Sequence, residues 1–553
     1  MVAINTERQV RQHAIVWGEA SSVLPGDGVL SLPSFLGNIF QAFWIFKKRN
    51  QYALTPISSL EDASTDEIDP SGWNKVGYLP SLPLNQLGDN SFCKDYSLKY
   101  AYAAGSMANG IASVSMVKEL GAEGMLGFFG AAGLDLAHVE SAIDQLDKAK
   151  YTVGFNLIHS PNEPDLEKAI VDLYLRRGVR LIEASAYLQL TLPVVQFRLT
   201  GIHRGPDGRI VTPNRILAKI SRVEVANHFF SPPPLELVNE LVRLRVLSQD
   251  QAEMASHIPV AQDITAEADS AGHTDNRPLV TLLPTILTLR ERMAQKHHFE
   301  QPLRVGAAGG LSTPIAIAAA FSMGAAYVMT GSVNQACVES GASDHVRNVL
   351  SQVEQADTSM APAADMFEMG VKVQVLKRGT MFPMRAAKLY ELYRSYASMD
   401  ALPAAERTLL EKQFFRNTLE GTWQSTREFF IKRDPRQVER AERDPKHKMA
   451  LVFRSYLGLS SRWANSGDPS RIMDYQVWCG PAMGAFNEWV RGTFLEEPGN
   501  RRVALVGLNL LYGAAIQLRI QMLRCQGIPW PAQLKQCPPM KLEDLHKALK
   551  NDE

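Results

Sequence analysis

The chain has 553 residues, of which 45% are apolar and 21% charged, an ordinary globular balance with ample material for a core. Its 58 basic and 58 acidic side chains cancel, which argues against nucleic-acid binding, since that needs a basic excess or stripe. Five scattered cysteines (Cys93, Cys337, Cys479, Cys525, Cys537) form no CxxC pair, so a disulfide framework or zinc site is disfavoured and a reducing, cytoplasmic compartment is expected.

The opening "MVAINTERQVRQHAIVWGE" is too polar for a secretory signal. Residues 1–95 mix short apolar pieces with Pro, Gly, Ser and acids, as in "SSLEDASTDEIDPSGW", and are expected to form a cap with a flexible middle. From about residue 97 the pattern becomes regular. Strand-length apolar runs recur at 99–105, 124–130, 151–158, 178–185, 215–221, 263–268, 303–310 and 325–332. Helix-period segments such as "DLAHVESAIDQLDKAK" separate most of them. This alternation predicts βαβ units, and eight strands over this length predict an α/β fold, a (β/α)8 TIM barrel over 96–399. A hairpin is expected around "GPDG" within 195–213, and a helical insertion at about 224–258. Residues 400–553 are helical in pattern and are expected to form an all-α domain with a loosely attached tail. Their most apolar run, 503–518, is short of the ~20 residues that span a bilayer and predicts a buried helix.

A barrel of this type places its chemistry where the strands end. The first run ends in "AGSMANG", with Gly105, Met107 and Asn109; the third carries Asn156, the fourth ends in Ser185 and the fifth contains Lys219. The sixth runs into "DITAEADSAGHTDNRPL", which packs Glu267, Asp269, Gly272, His273 and Asp275 into nine residues. Taken alone that string reads as a surface turn. A metal site from His273, Asp269 and Asp275 lacks a second nearby histidine. The seventh run ends in Gly309 and Gly310, before Ser312 or Thr313 as a helix cap and Pro314 at the first helical position. The eighth ends in Thr330, Gly331 and Ser332. Two glycine-bearing loops after strands seven and eight form the usual phosphate site of such barrels, and a single phosphate points to a mononucleotide such as FMN. The segment 432–448 has an excess of three positive charges and is either a solvated face or a docking face for an acidic carrier protein. Cys479, in "WCGPAMGAFNEW", has no base beside it and reads as a packed residue rather than a nucleophile.

"EADSAGH" and "AAGG" resemble the nitronate monooxygenase and flavin-type enoyl reductase superfamily. "EADSAGHTDNRPL", "AGSMANGIAS", "MFEMGVKVQVLKRGTMFPMRA" and "RDPRQVERAERDPKHKMALVFRSYLGLSSRWA" are more particular. They resemble the stand-alone enoyl reductases of polyunsaturated fatty acid and trans-acyltransferase polyketide synthases, the PfaD family, from about residue 85 to about 525. The family often has Gly-Gly-His where this chain has Ala271-Gly272-His273. The resemblance implies a trans-acting enoyl reductase with bound FMN and NADPH as co-substrate, in which NADPH reduces FMN and the trans-2 double bond of a carrier-bound enoyl thioester is then reduced. Gly105, Met107 and Asn109 would lie against the flavin, with Gly272 close by. Asn156 and Lys219 would bind its polar edge, and Gly309, Gly310, Gly331 and Ser332 would hold its phosphate. His273 is implied as proton donor or carbonyl polariser, oriented by Asp269 or Asp275. Acyl carrier protein domains are the implied partners, without nucleic acid or membrane, and a homodimer is an open expectation. Two alternatives stand beside this one: a nitronate-type flavin oxygenase, and a scaffold protein that has lost its chemistry.

Overall fold

Parallel strands covered on both faces need continuous apolar runs rather than alternation, and the eight runs form such strands. In the computed structural model, which describes residues 15–18, 37–57, 72–161, 163–529 and 537–549, they are β1 (Tyr102–Ala104), β2 (Leu126–Phe129), β3 (Val153–Ile158), β4 (Leu181–Ser185), β5 (Arg215–Ile220), β6 (Asp263–Glu267), β7 (Arg304–Ala308) and β8 (Val328–Thr330). Each pairs in parallel with its sequence neighbours, and β8 closes on β1, as the register Thr330 to Ala104 shows. The fold is therefore the (β/α)8 barrel. Asp135 caps the helix after β2, and of the two cap candidates after β7 it is Thr313 that serves, each side chain accepting a backbone N–H from the first turn. The hairpin pairs His203–Arg204 with Ile210–Val211, and three helices between Val223 and Ala255 occupy the insertion.

Before the barrel, Ile15–Gly18, Gln51–Pro56, Phe43–Lys48 and Asn74–Leu79 form a four-stranded antiparallel sheet. The acid-rich stretch expected to be flexible lies mostly outside the described residues. The helix Val503–Cys525 is buried against the barrel helix Pro314–Ser322 and shares the barrel's core. Among the described residues it is the one helix long and apolar enough to cross a membrane, and nearly all of it is inside protein. It also anchors the N-terminal sheet region: the Arg519 guanidinium donates to the carbonyls of Asn38 and Gln41, and Tyr512 to that of Gly37. Where a loosely attached tail was expected, residues 537–549 dock. Asn509 exchanges two hydrogen bonds with the Met540 backbone, and Leu545 is fully buried. A second core gathers helices between Phe382 and Ser466 with the strands Thr358–Pro362 and Lys372–Leu376. These elements lie over the C-terminal mouth of the barrel.

The opposite end of the barrel is closed by charge. Arg304, at the start of β7, is 1% exposed and Asp263, at the start of β6, 0%. The guanidinium meets Asp263 at 2.6 Å and Asp95 at 2.8 Å, and the Tyr96 hydroxyl donates to Asp263 at 2.6 Å. Asp95 and Tyr96 end the helix that plugs this face. A buried charge that loses its partner is strongly destabilising. Arg304→Met is therefore expected to lower stability by about 3–5 kcal/mol in chemical denaturation, whereas Arg222→Met, which breaks an exposed pair with Asp275, should cost ~1 kcal/mol or less.

Candidate functional site

Four adjacent strands, β3 to β6, each bring a polar side chain to the cavity end of the barrel: Asn156, Glu183, Lys219 and Glu267. Asn156 stands directly opposite Glu183 across the β3–β4 ladder. Asn156 is buried; its amide donates to the Ser185 hydroxyl at 2.9 Å and the Glu183 carbonyl at 3.2 Å. The Lys219 ammonium lies 3.1 Å from Glu267. Burial works against its charge, but Glu267 and then Glu183 outweigh burial and hold its pKa above the usual lysine range. Glu183, fully buried, accepts from the Ser106 backbone N–H at 3.0 Å and from the Ser106 hydroxyl, and its other oxygen has no hydrogen-bond partner. Burial pushes its pKa up, against the pull of Lys219 and Ser106. A single cation thus sits beside two carboxylates, one of them biased toward its neutral form.

Above this polar floor opens a cavity of about 690 Å³, within the range of small-molecule sites. Gly105, Met107, Asn109, Asn156, Lys219, Gly272, His273, Gly309, Gly310, Gly331 and Ser332 all line it. Gly309 has a φ of +87°, and a Cβ there would lie 2.6 Å from the Ala268 backbone, so this turn admits no other residue without strain. At Gly310 and Gly331 a Cβ would meet nothing within 4 Å, which leaves open space beside both loops. The neighbouring Ser312 hydroxyl is buried without a partner, and the helix Pro314–Ser322 begins here with first-turn N–H groups unsatisfied by the helix itself. The cradle suits an anionic group.

Asp269 does not join this set. Its carboxylate accepts from Asn276 at 2.8 Å and from Gln374 at 2.9 Å, and it does not line the cavity. Asp275, the alternative, is held by Arg222 and Ser221. The carboxylate on His273 is Asp365, 3.1 Å from Nε2 and 92 residues further along the chain. The contact exists because Gly272–His273 is a short strand, paired antiparallel with Lys372–Leu376, which in turn pairs with Thr358–Pro362. Burial opposes charge on the half-buried imidazole, yet Asp365, by charge and hydrogen bond, and the more distant Glu267 raise its pKa above the ordinary value. Asp365 and Glu183 carried no local motif, and Ser106 was not singled out within "AGSMANG"; only the tertiary pairing reveals their roles.

The remaining wall comes from the helical region. Trp463, Phe415, Phe429, Phe430, Arg454 and Arg462 line the cavity opposite the barrel. Asn109 ties the two parts together, donating to the Ser461 hydroxyl at 2.7 Å. Arg433 pairs with Glu163, and Arg436 with Asp165 at 2.8 Å, so two positive charges of the 432–448 segment are committed to the barrel helix Pro164–Arg176. Cys479 is buried, and burial pushes its thiol up to about 12, keeping it protonated.

With 41% identity, the enoyl reductase domain of MlnA from the macrolactin biosynthesis cluster of Bacillus amyloliquefaciens superposes with a TM-score of 0.76, covering 80% of this chain and 99% of that domain. The chain belongs to this enoyl reductase family. It is PfaD-like. Curated relatives include a polyunsaturated fatty acid synthase subunit of Thraustochytrium sp., 48% identical over 80% of this chain, and polyketide biosynthesis protein PksE of Bacillus subtilis, 44% identical over 80%. The chain spans 30% and 58% of their respective lengths. Residues 396–475 match the family described as acyl-carrier-protein S-malonyltransferase, inserted helical domain. That match covers the helices that wall the enoyl reductase cavity.

The His273–Asp365 pair sets a sign. Removing the carboxylate leaves burial opposed only by the more distant Glu267, so Asp365→Asn is expected to move the His273 titration midpoint, followed by histidine NMR, to lower pH than in the parent protein. An unmoved midpoint would mean that Asp365 does not hold the proton on this ring.

Proposed function

We propose that this chain is an FMN-dependent enoyl reductase that uses NADPH to reduce the trans-2 double bond of enoyl thioesters carried by an acyl carrier protein in polyunsaturated fatty acid or polyketide synthesis. Support comes from one convergence: a paired cation, a carboxylate-held histidine and an anion cradle line the same cavity in a member of the enoyl reductase family. The fit to FMN is supported by the open space at Gly310 and Gly331, next to the first turn of the helix Pro314–Ser322. Gly309, Gly310, Gly331 and Ser332 would hold the phosphate, Gly105, Met107, Asn109 and Gly272 would border the ring, and Asn156 and Lys219 would meet its polar edge. Bound there, FMN would supply two-electron hydride chemistry between NADPH and the enoyl thioester.

The chain's own residues then have distinct tasks. Lys219 presents a positive charge preorganised by Glu267, so negative charge developing beside it is stabilised without rearrangement. Glu183 holds the Ser106 backbone, and with it the turn after β1, against this cation. As the β-carbon gains hydride and the π bond breaks, the α-carbon takes a proton from His273; Asp365 stabilises the imidazolium beforehand, and the ring is reprotonated from solvent afterwards. The five cysteines are free thiols, which supports a reducing compartment such as the cytoplasm.

A visible spectrum decides the chemistry. Flavin bands that bleach on anaerobic addition of NADPH and return with an enoyl thioester are the expected result; bands that NADPH cannot bleach would favour an oxygenase, and no flavin after reconstitution would leave a scaffold. His273→Ala should retain flavin and its NADPH bleaching while enoyl turnover falls by about 10²-fold or more. Gly331→Ala, whose methyl would project into the cradle, should weaken FMN binding by about ten-fold, roughly one lost hydrogen bond to a charged group, as read by quenching of flavin fluorescence.

A further inference from the structure

Four arginines line the cavity: Arg433, Arg454, Arg462 and Arg471. Three are neutralised by carboxylates. Arg433 pairs with Glu163, Arg454 with Glu368 at 3.2 Å, and Arg471 with Asp474 at 3.1 Å. Arg462 has no carboxylate or hydrogen-bond partner among the described residues; its guanidinium lies over the Phe429 ring, 5.9 Å from the centroid. Arg433 approaches the same ring at 5.6 Å. Arg462 is exposed, and the apolar side chains beside it on the cavity wall are exposed too, Phe429 at 41% and Leu459 at 40%. This is the mouth of the cavity: an apolar lip bearing one cation whose charge no carboxylate among the described residues offsets. An aromatic face orients a guanidinium without occupying its N–H donors. Those donors are left for an incoming anion, and the fork geometry of arginine matches a phosphate ester.

We propose that Arg462 is a phosphate-ester subsite at the mouth of the cavity, holding a substrate whose reacting end reaches His273 and Lys219 at the floor. It rests on the proposed reductase function and adds to it the anchoring group. Two substrates of that reaction bear such a phosphate: the phosphopantetheine arm of a carrier-bound thioester, and the nicotinamide nucleotide. Both must pass the same mouth. The Phe429 and Leu459 lip suits the gem-dimethyl carbon that follows the phosphate in a pantetheine arm, while the other arginines of the wall, already paired, do not compete for it. The charge expected on the 432–448 segment as a docking determinant is partly committed to the barrel, so the anion-binding role falls to a residue outside it.

The test compares crotonyl phosphopantetheine with crotonyl pantetheine, which differ by the phosphate alone, together with NADPH, in the flavin-loaded protein and in Arg462→Gln. The parent should favour the phosphorylated thioester by about ten-fold in KM, the scale of one hydrogen bond to a charged group. In Arg462→Gln that ratio should fall to about one through a rise in KM for the phosphorylated substrate, with kcat little affected, and Arg462→Lys should restore part of it. A loss confined to NADPH, read as a higher concentration needed to bleach the flavin, would support the subsite and assign it to the nucleotide. Equal losses for all three substrates, or no loss for any, would overturn it. If the parent reduces neither thioester, the reductase reading fails instead, and NADPH binding still reports on Arg462.

Discussion

The buried ammonium of Lys219 is the charge around which the mouth of this barrel is organised. A cation in a protein interior persists only if carboxylates offset its lost hydration, and those carboxylates must themselves be satisfied. Here they come from the two flanking strands, Glu183 on β4 and Glu267 on β6. Glu183 in turn grips the Ser106 backbone beyond β1, on another side of the barrel. Closure of the sheet and placement of the site cation are thus one event. The same logic recurs at the other end, where Arg304, Asp263, Asp95 and Tyr96 pair at the bottom beside the apolar packing of Phe92 on Tyr327.

A (β/α)8 barrel offers an open face, and chemistry that transfers hydride and a proton benefits from a closed one. This chain supplies the closure from sequence far downstream. One hydrogen bond, Asn109 to Ser461, joins the first strand end to the helical wall across 352 residues, and the Arg433–Glu163 pair does the same at β3. The helical region therefore belongs to the site. Its aromatic residues set the shape above the floor, and Arg462, alone among the four cavity-lining arginines in having no carboxylate partner among the described residues, marks where the cavity meets solvent.

His273 shows how a motif acquires its properties. The string "DSAGH" places an imidazole near the end of β6, but its proton affinity is raised by Asp365, which arrives on the turn between the strands Thr358–Pro362 and Lys372–Leu376. Asp269, four residues before His273, turns toward Asn276 and Gln374 instead. Adjacency along the chain was a poor guide because the chain reverses between the two residues, and the antiparallel pairing of Gly272–His273 faces the ring toward a different partner.

Eight apolar runs separated by helical periods were legible without coordinates, since parallel strands buried on both faces leave an unbroken apolar signal. So were the glycine turns after β7 and β8, the Thr313 cap with its Pro314, and the polar residues Asn156 and Lys219 that interrupt those runs. Each of these is dictated by local backbone geometry or by burial of a single strand, and such constraints act over a few residues. Glu183 was hidden inside a run that otherwise looked like core, Asp365 sat in a segment with no pattern of its own, and Arg462 was one basic residue among 58. Their importance lies in which charges meet or fail to meet a partner. That was settled only when strands, sheet and helices from distant parts of the chain packed around one cavity, because pairing between charges depends on distance in space and leaves no period in the sequence.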